Sequence, residues 1–254
     1  MIENEKIFLE VCCGSVDDAI EAQKAGADRV ELNSSMFFGG LTPTTGSVIQ
    51  AKKVLDIPVI VMIRPRGGGF CYTDTEYEIM LHDTKLALEN GADGIVFGIL
   101  HESGEIDIER SKPIIKMVKD ANKDIVFHRA FDVTPDPLAA LETLIDLGID
   151  RILTSGQENS VPEGVGLLKK LIEVAGDRIE ILPGGGIQLH NTDFVIEYTK
   201  TKMIHIADFK TMFDKSCHNR PKVTFGGCLY PPENQYDLIN REVISKVTAI
   251  CKER

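Results

Sequence analysis

Residues 26–32, Gly26-Ala27-Asp28-Arg29-Val30-Glu31-Leu32, carry the chain from the end of one helix almost directly into a strand. The phrase returns as Gly91-Ala92-Asp93 and, in varied form, as Gly148-Ile149-Asp150. In each copy the Gly suits a helix C-terminus and a new apolar run follows at once. Upstream, Ile7 to Cys12 reads as the first strand. Val16 to Lys24 reads as a helix, with Ser15 as its N-cap and Asp17 and Asp18 in its first turn. Downstream, the second strand is Arg29 to Leu32, the third Val59 to Ile63, and the fourth follows Asp93. The fifth is Ile125 to His128, the sixth follows Asp150, the seventh is Ile179 to Leu182 and the eighth Met203 to Ile206. Helices are expected near 43–55, 74–89, 109–120, 136–147, 163–175, 190–200 and 236–252. Eight nearly all-apolar strands, each followed by a helix, predict an α/β fold, a parallel (β/α)8 TIM barrel forming a single domain over 1–254. An open doubly wound sheet is the alternative, and eight regular units argue for closure. The long stretch at about 208–234, after the eighth strand, is expected to be an irregular loop.

The chain has 254 residues and a net charge of −11, which argues against nucleic acid or an anionic membrane surface as a general partner. No apolar run approaches the roughly 18 residues of a membrane span. Met1 to Lys6 is polar and acidic, unlike a secretory signal. The six cysteines, Cys12, Cys13, Cys71, Cys217, Cys228 and Cys251, include no C-x-x-C pair, and a chain of this size needs no disulfide staples. A reducing cytoplasm is the expected location.

Strand parity then separates the polar residues. In the first strand Leu9 and Val11 share one face while Phe8, Glu10 and Cys12 share the other. Glu31 and Asn33 oppose Val30 and Leu32. Met62, Arg64 and Arg66 oppose Ile63; His128 goes with Val126, and His205 with Met203. Outward faces of barrel strands meet apolar helix surfaces, where an unpaired charge costs on the order of several kcal/mol. Turning Glu10, Glu31, Arg64, His128 and His205 inward, near the upper mouth, avoids that cost. The bland reading is a space-filling Glu–Arg network. Charges at strand carboxyl ends favour a ligand or catalytic site in this fold. Arg129 faces away from His128 by parity and is read as an ion-pair partner, with Asp132 in the same stretch.

Two glycine-rich loops should open on the same face. Arg64-Pro65-Arg66-Gly67-Gly68-Gly69 offers guanidinium donors from Arg64 and Arg66, and Pro183-Gly184-Gly185-Gly186 offers backbone N–H groups. Thr154-Ser155-Gly156-Gln157 adds small hydrogen-bonding groups. Cys12 sits beside Glu10 on the inward face and Cys13 points the other way. Cys217-His218 and Cys228 fall in the long loop and could meet the mouth.

The runs Leu9-Glu10-Val11-Cys12-Cys13, Gly26 to Leu32, Gly39-Gly40-Leu41-Thr42-Pro43 and Ile63-Arg64-Pro65-Arg66-Gly67-Gly68 resemble the CutC copper-homeostasis family. So do Phe70-Cys71-Tyr72, Phe127-His128-Arg129-Ala130-Phe131-Asp132 and Leu153-Thr154-Ser155-Gly156-Gln157, and the resemblance extends over about residues 7–207. It implies a cytoplasmic TIM-barrel protein linked to copper handling and assembled as a homo-oligomer. The family's proposed copper ligands are cysteines ending the first two strands; Cys12 matches the first, and Asn33 stands at the second. The expected function is therefore copper homeostasis, with Cu(I) binding at the carboxyl face of the barrel through Cys12. The alternative is an enzyme acting on a small anionic or phosphorylated substrate. There Glu10 or Glu31 would be the general base and His128 or His205 would supply a proton. Arg64, Arg66, Ser155, Gly184 and Gly185 would hold the substrate. No inward strand position is a Lys, which argues against Schiff-base chemistry, and Lys210 lies beyond the eighth strand.

Overall fold

The structure, a computed structural model, describes residues 6–217, 219–220, 222–225 and 233–253. His218 and Cys228, and all but Lys6 of the Met1 to Lys6 start, lie outside the described residues. The strands are β1 (Phe8–Cys13), β2 (Arg29–Leu32), β3 (Val59–Met62), β4 (Gly94–Phe97), β5 (Asp124–Phe127), β6 (Arg151–Thr154), β7 (Glu180–Pro183) and β8 (Met203–Ile206). The helices that alternate with them are α1 (Val16–Lys24), α2 (Thr45–Val54), α3 (Asp74–Glu89), α4 (Ile108–Asp120), α5 (Pro137–Asp146), α6 (Val161–Ala175) and α7 (Thr192–Thr199). All eight strands run parallel in the order β7-β6-β5-β4-β3-β2-β1-β8. A parallel bridge between Gly184 and His205 joins the two ends of the sheet. The expected (β/α)8 barrel is therefore the observed fold.

The recurring Gly-x-Asp phrase has a mechanical role beyond ending a helix. Gly26, Gly91 and Gly148 adopt φ of 91°, 90° and 74°, the left-handed region that a Cβ disfavours. The Asp two residues on then clamps the start of the preceding strand. Asp28 donates its N–H to Leu9 O at 2.9 Å and accepts Leu9 N–H on Oδ2 at 3.0 Å. Asp93 does the same with Val59, at 2.9 Å both ways, and Asp150 with Ile125, at 3.0 and 2.8 Å. Each carboxylate also meets a lysine: Lys6, Lys52 and Lys119 respectively. A first strand N–H that the sheet leaves open is thus answered three times by the same device.

The interior of the barrel is divided. On one side Ile60, Met62, Val96, Val126, Leu153 and Leu182 form an apolar plug from β3 to β7. On the other, β8, β1 and β2 bring His205, Glu10, Arg29 and Glu31 inside, all buried. The much larger outer core packs the opposite strand faces against the helices.

Two expectations need correcting. The stretch 208–234 is not irregular throughout. Phe209–Phe213 forms β9, which pairs antiparallel with β10 (Gln235–Ile239), so the excursion is anchored as a two-stranded arm. The last helix, α8 (Arg241–Lys252), accordingly begins five residues later than 236, because the preceding residues are spent on β10. Among the described residues, no helix is long and apolar enough to cross a membrane.

Replacing any one clamp carboxylate, as in Asp28→Ala, Asp93→Ala or Asp150→Ala, is expected to cost about 1–3 kcal/mol by stranding a strand-end N–H. Urea denaturation should show the loss. Asp28→Ala and Asp150→Ala, which serve separate strand pairs, should add within about 0.5 kcal/mol. Unchanged midpoints in all three single variants would remove the clamp's structural role.

Candidate functional site

A cavity of about 270 Å³ opens at the carboxyl ends of the strands. Cys12, Glu31, Arg64, His128, Gly184, Gly185 and His205 all line it, as do Met36, Phe70 and Arg129. Strand parity had grouped Glu10, Glu31, Arg64, His128 and His205; the cavity brings the last four together and leaves Glu10 outside its lining.

One side of the cavity is built on the ionic half of the barrel. Glu10 lies below it, with one carboxylate oxygen on Arg29 Nε and the other 2.7 Å from His205 Nδ1. Burial alone would raise the pKa of this carboxyl, but Arg29 and His205 hold it well below the usual carboxylate range. Glu10 does not line the cavity. Glu31 does, and its Oε2 accepts from Asn33 Nδ2 at 2.8 Å and lies 3.5 Å from the Cys12 thiol. Burial raises the Glu31 pKa and the Glu10 charge adds to the rise, with His205 opposing. His205 moves upward: burial would lower its pKa, and the carboxylates of Glu31 and Glu10 outweigh that. Burial, followed by the Glu31 charge, pushes the Cys12 thiol well above its ordinary range.

The ligating atoms of Cys12, Glu31 and His205 lie within 4.8 Å of one another, and all three residues are buried. With Nδ1 engaged by Glu10, His205 has Nε2 left to offer, and the carboxylate behind it is the usual orienting partner of a metal-bound imidazole. The donors are one soft sulfur, one borderline nitrogen and one hard oxygen. Asn33, at the end of β2, contributes an amide N–H to Cys12 Sγ at 3.4 Å rather than a second sulfur. Cys13 faces the outer core, as parity required.

The other side is built differently. Arg64 Nη1 donates to the carbonyls of Phe38, Gly39 and Gly40 at 2.9 to 3.2 Å, and Nη2 to Gly68 at 2.7 Å. His128 ends just beyond β5 and accepts Ala130 N–H on Nδ1 at 3.1 Å. Its ring has room because residue 98 is glycine; a Cβ there would sit 2.5 Å from His128 Cε1. Burial and, secondarily, the Arg64 charge push the imidazole pKa down to about 3.

Arg66 and Ser155 are placed elsewhere. Arg66 is spent on Glu76 and on the carbonyls of Gly67, Gly69 and Cys71, away from the cavity, so no free fork remains for an anion. Ser155 is held by Asp132, Arg129 and the Glu158 carbonyl and does not line the cavity. Arg129 pairs with Asp132 at 2.7 Å, as expected, and also reaches the cavity wall, which parity alone did not indicate. Sequence reasoning also passed over Arg29 and Arg151, two buried inward cations, although Arg29 shares the parity of Glu31. A larger cleft, about 670 Å³, opens at the amino ends of β5–β8 around Arg151, Glu180 and Lys200. Arg151 is answered there by Asp124 and Glu180, and the carboxyl end is where barrels of this kind carry their sites.

Fold and site together define a (β/α)8 barrel with a half-ionic cavity at its carboxyl face. Residues 7–210 match the sequence model of the CutC family. A CutC family protein of Treponema denticola is 47% identical, aligned over 96% of this chain and 98% of its own. The human "copper homeostasis protein cutC homolog" is 41% identical over 96% of this chain and 89% of its own. A crystal structure of CutC from Streptococcus agalactiae superposes with a TM-score of 0.74 at 37% identity, covering 78% of this chain and 97% of that one. The chain belongs to the CutC family.

The depressed His128 pKa carries a signed consequence. The unfolded imidazole titrates near 6.5 and the folded one near 3, so between those values the unfolded chain binds the extra proton. Stability should fall as pH drops through that window, with a His128 share approaching about 1.4 kcal/mol per pH unit. Subtracting the stability–pH curve of His128→Gln from that of wild type isolates this share. A flat difference between pH 6.5 and 3 would mean that the folded imidazole protonates normally.

Proposed function

We propose that this protein serves copper homeostasis by binding Cu(I) at the carboxyl face of the barrel, with Cys12 as the principal ligand and His205 and Glu31 completing the site. The observation that carries this reading is the convergence of three buried donor atoms within 4.8 Å, on three adjacent strands. Cu(I) favours sulfur and imidazole donors, and Cys12 and His205 supply one of each. Binding must displace the thiol proton, because burial and the Glu31 charge hold Cys12 in its neutral form. Relatives whose names tie them to copper homeostasis support the same reading. Free thiols at Cys12, Cys13, Cys71 and Cys217 suit action in a reducing cytoplasm, which we include in the proposal together with homo-oligomeric assembly.

A single sulfur makes a weaker Cu(I) site than a pair, and Asn33 stands where a second could approach the same ion. Competition titrations with a Cu(I) chelator should therefore rank Asn33→Cys tightest, wild type next and Cys12→Ser weakest. Adjacent steps should differ by about tenfold or more, the size of one good ligand interaction. Tight binding should also grow with pH as the thiol proton is displaced. Equal affinities across the three proteins would overturn Cys12 as a ligand.

A further inference from the structure

Half of the cavity has no part in the Cys12, Glu31 and His205 cluster, and that half contains an unanswered donor. His128 Nε2 is buried and meets no protein acceptor, in a residue 3% exposed; the neighbouring Arg64 has the buried Tyr72 hydroxyl near its guanidinium. The remaining polar atoms of both groups are committed. Both Arg64 Nη atoms hold loop carbonyls, and His128 Nδ1 accepts from Ala130. An imidazole whose Nδ1 accepts carries its proton on Nε2, and with a pKa pushed down to about 3 it is a neutral donor near pH 7. Phe70 fixes both groups, its ring centroid 4.9 Å from that of His128 and 5.1 Å from the Arg64 guanidinium carbon. A buried donor left unmet costs about 1–3 kcal/mol. One on the wall of a cavity, at His128 Nε2, calls for an acceptor.

The same cavity is lined by the loop that follows β7. Gly184, Gly185 and Gly186 lie along it, and a Cβ on Gly185 would come within 2.8 Å of Arg129 Nη1. Arg129 Nε and Nη2 are taken by Asp132, Ser155 and the Glu158 carbonyl, so Nη1 is the edge presented to this loop. Guanidinium and glycine backbone together make a receptor for a carboxylate. The imidazole of His128 is a neutral donor, so an uncharged oxygen suffices as its acceptor. The cavity, about 270 Å³, has room for an acid of a few carbons.

We propose that this cavity binds a small 2-oxo- or 2-hydroxy-carboxylate. The carboxylate sits on Arg129 and the Gly185 and Gly186 N–H groups, since the Gly184 N–H is taken by the Thr154 carbonyl, and the neighbouring carbonyl or hydroxyl oxygen on His128 Nε2. None of these groups belongs to the metal cluster, so the ligand needs no copper.

Metal-free wild-type protein, kept in EDTA, is titrated with pyruvate and separately with lactate while the His128 ring nitrogens and Nε2 proton are followed by NMR. Phosphate is the comparison anion, and chloride at matched ionic strength controls for screening. The expected result is a saturable downfield shift of the Nε2 proton with pyruvate or lactate. Affinity should fall about tenfold in His128→Phe, the loss of one good hydrogen bond, and largely survive in His128→Gln, which keeps a donor. Cu(I) affinity should be the same in wild type and His128→Phe, so the copper reading and this one fail separately. An Nε2 proton that answers neither acid would mean that water satisfies it, and one that answers phosphate alone would mean a site for another anion; either result would overturn the proposal. So would pyruvate binding that is unchanged in folded His128→Phe.

Discussion

The buried Glu10 carboxylate, shared between Arg29 and His205, sets the geometry on which the rest of the site depends. Burying a carboxylate costs several kcal/mol unless opposite charge and hydrogen bonds answer it. Both answers come from strands flanking β1, at its own level: the register pairs Glu10 with Arg29 on β2 and with His205 on β8. A slip of one residue in either ladder would turn a charge out against the helices, so the ion network penalises every register but this one. Once Glu10 faces Arg29, Cys12 must face Glu31, one pair further along the same two strands. The candidate ligands are neighbours because the counterions beneath them are. The same network also sits beside the seam, where β8 meets β7 through only the Gly184–His205 bridge.

Two histidines in one cavity are driven in opposite directions, and their neighbours explain why. His205 sits among the carboxylates of Glu10 and Glu31, and these hold its pKa up despite burial. His128 has the guanidinium of Arg64 near it and an aromatic ring against its face, so burial and that charge outweigh a backbone hydrogen bond and its pKa falls to about 3. The cavity is therefore polarised: one half is lined by carboxyl and thiol groups beside a protonatable His205, the other by neutral or cationic hydrogen-bond donors. Such a division lets one pocket hold unlike groups side by side without either half compensating for the other.

Much of this was legible in the sequence, and the parts that were not share a cause. Alternation along strands turned Glu31, Arg64, His128 and His205 toward one place, because a charge against the helix layer is too costly to be the alternative. The same rule applied to Arg29, two residues before Glu31, would have revealed the counterion. It is the first residue of the second strand, at the amino end and far from the mouth, so its parity was not followed. Arg66 and Ser155 have the residue types of an anion site, but their donors are consumed by nearby carbonyls and by Asp132. Only the loop conformation decides that, and no periodicity encodes it. The β9–β10 arm was hidden because its strands are half-exposed and their partners far apart in the chain. Residues from Gln235 onward blended into the amphipathic pattern of α8.

The chemistry of the carboxyl and thiol half follows from what it holds before any metal arrives. Cys12 is a thiol rather than a thiolate, and Glu31 binds its proton more firmly than an exposed carboxyl. A cation therefore competes with protons, and the low dielectric that makes those protons tenacious also strengthens the metal–ligand attraction that replaces them. The amide N–H of Asn33 points at both Cys12 Sγ and Glu31 Oε2, a donor placed to stabilise either atom once it is charged. A second cysteine at that position would add a ligand and remove this support. Asn33 thus suits a site whose negative charge, once formed, is held by hydrogen bonds, over one that relies on sulfur alone.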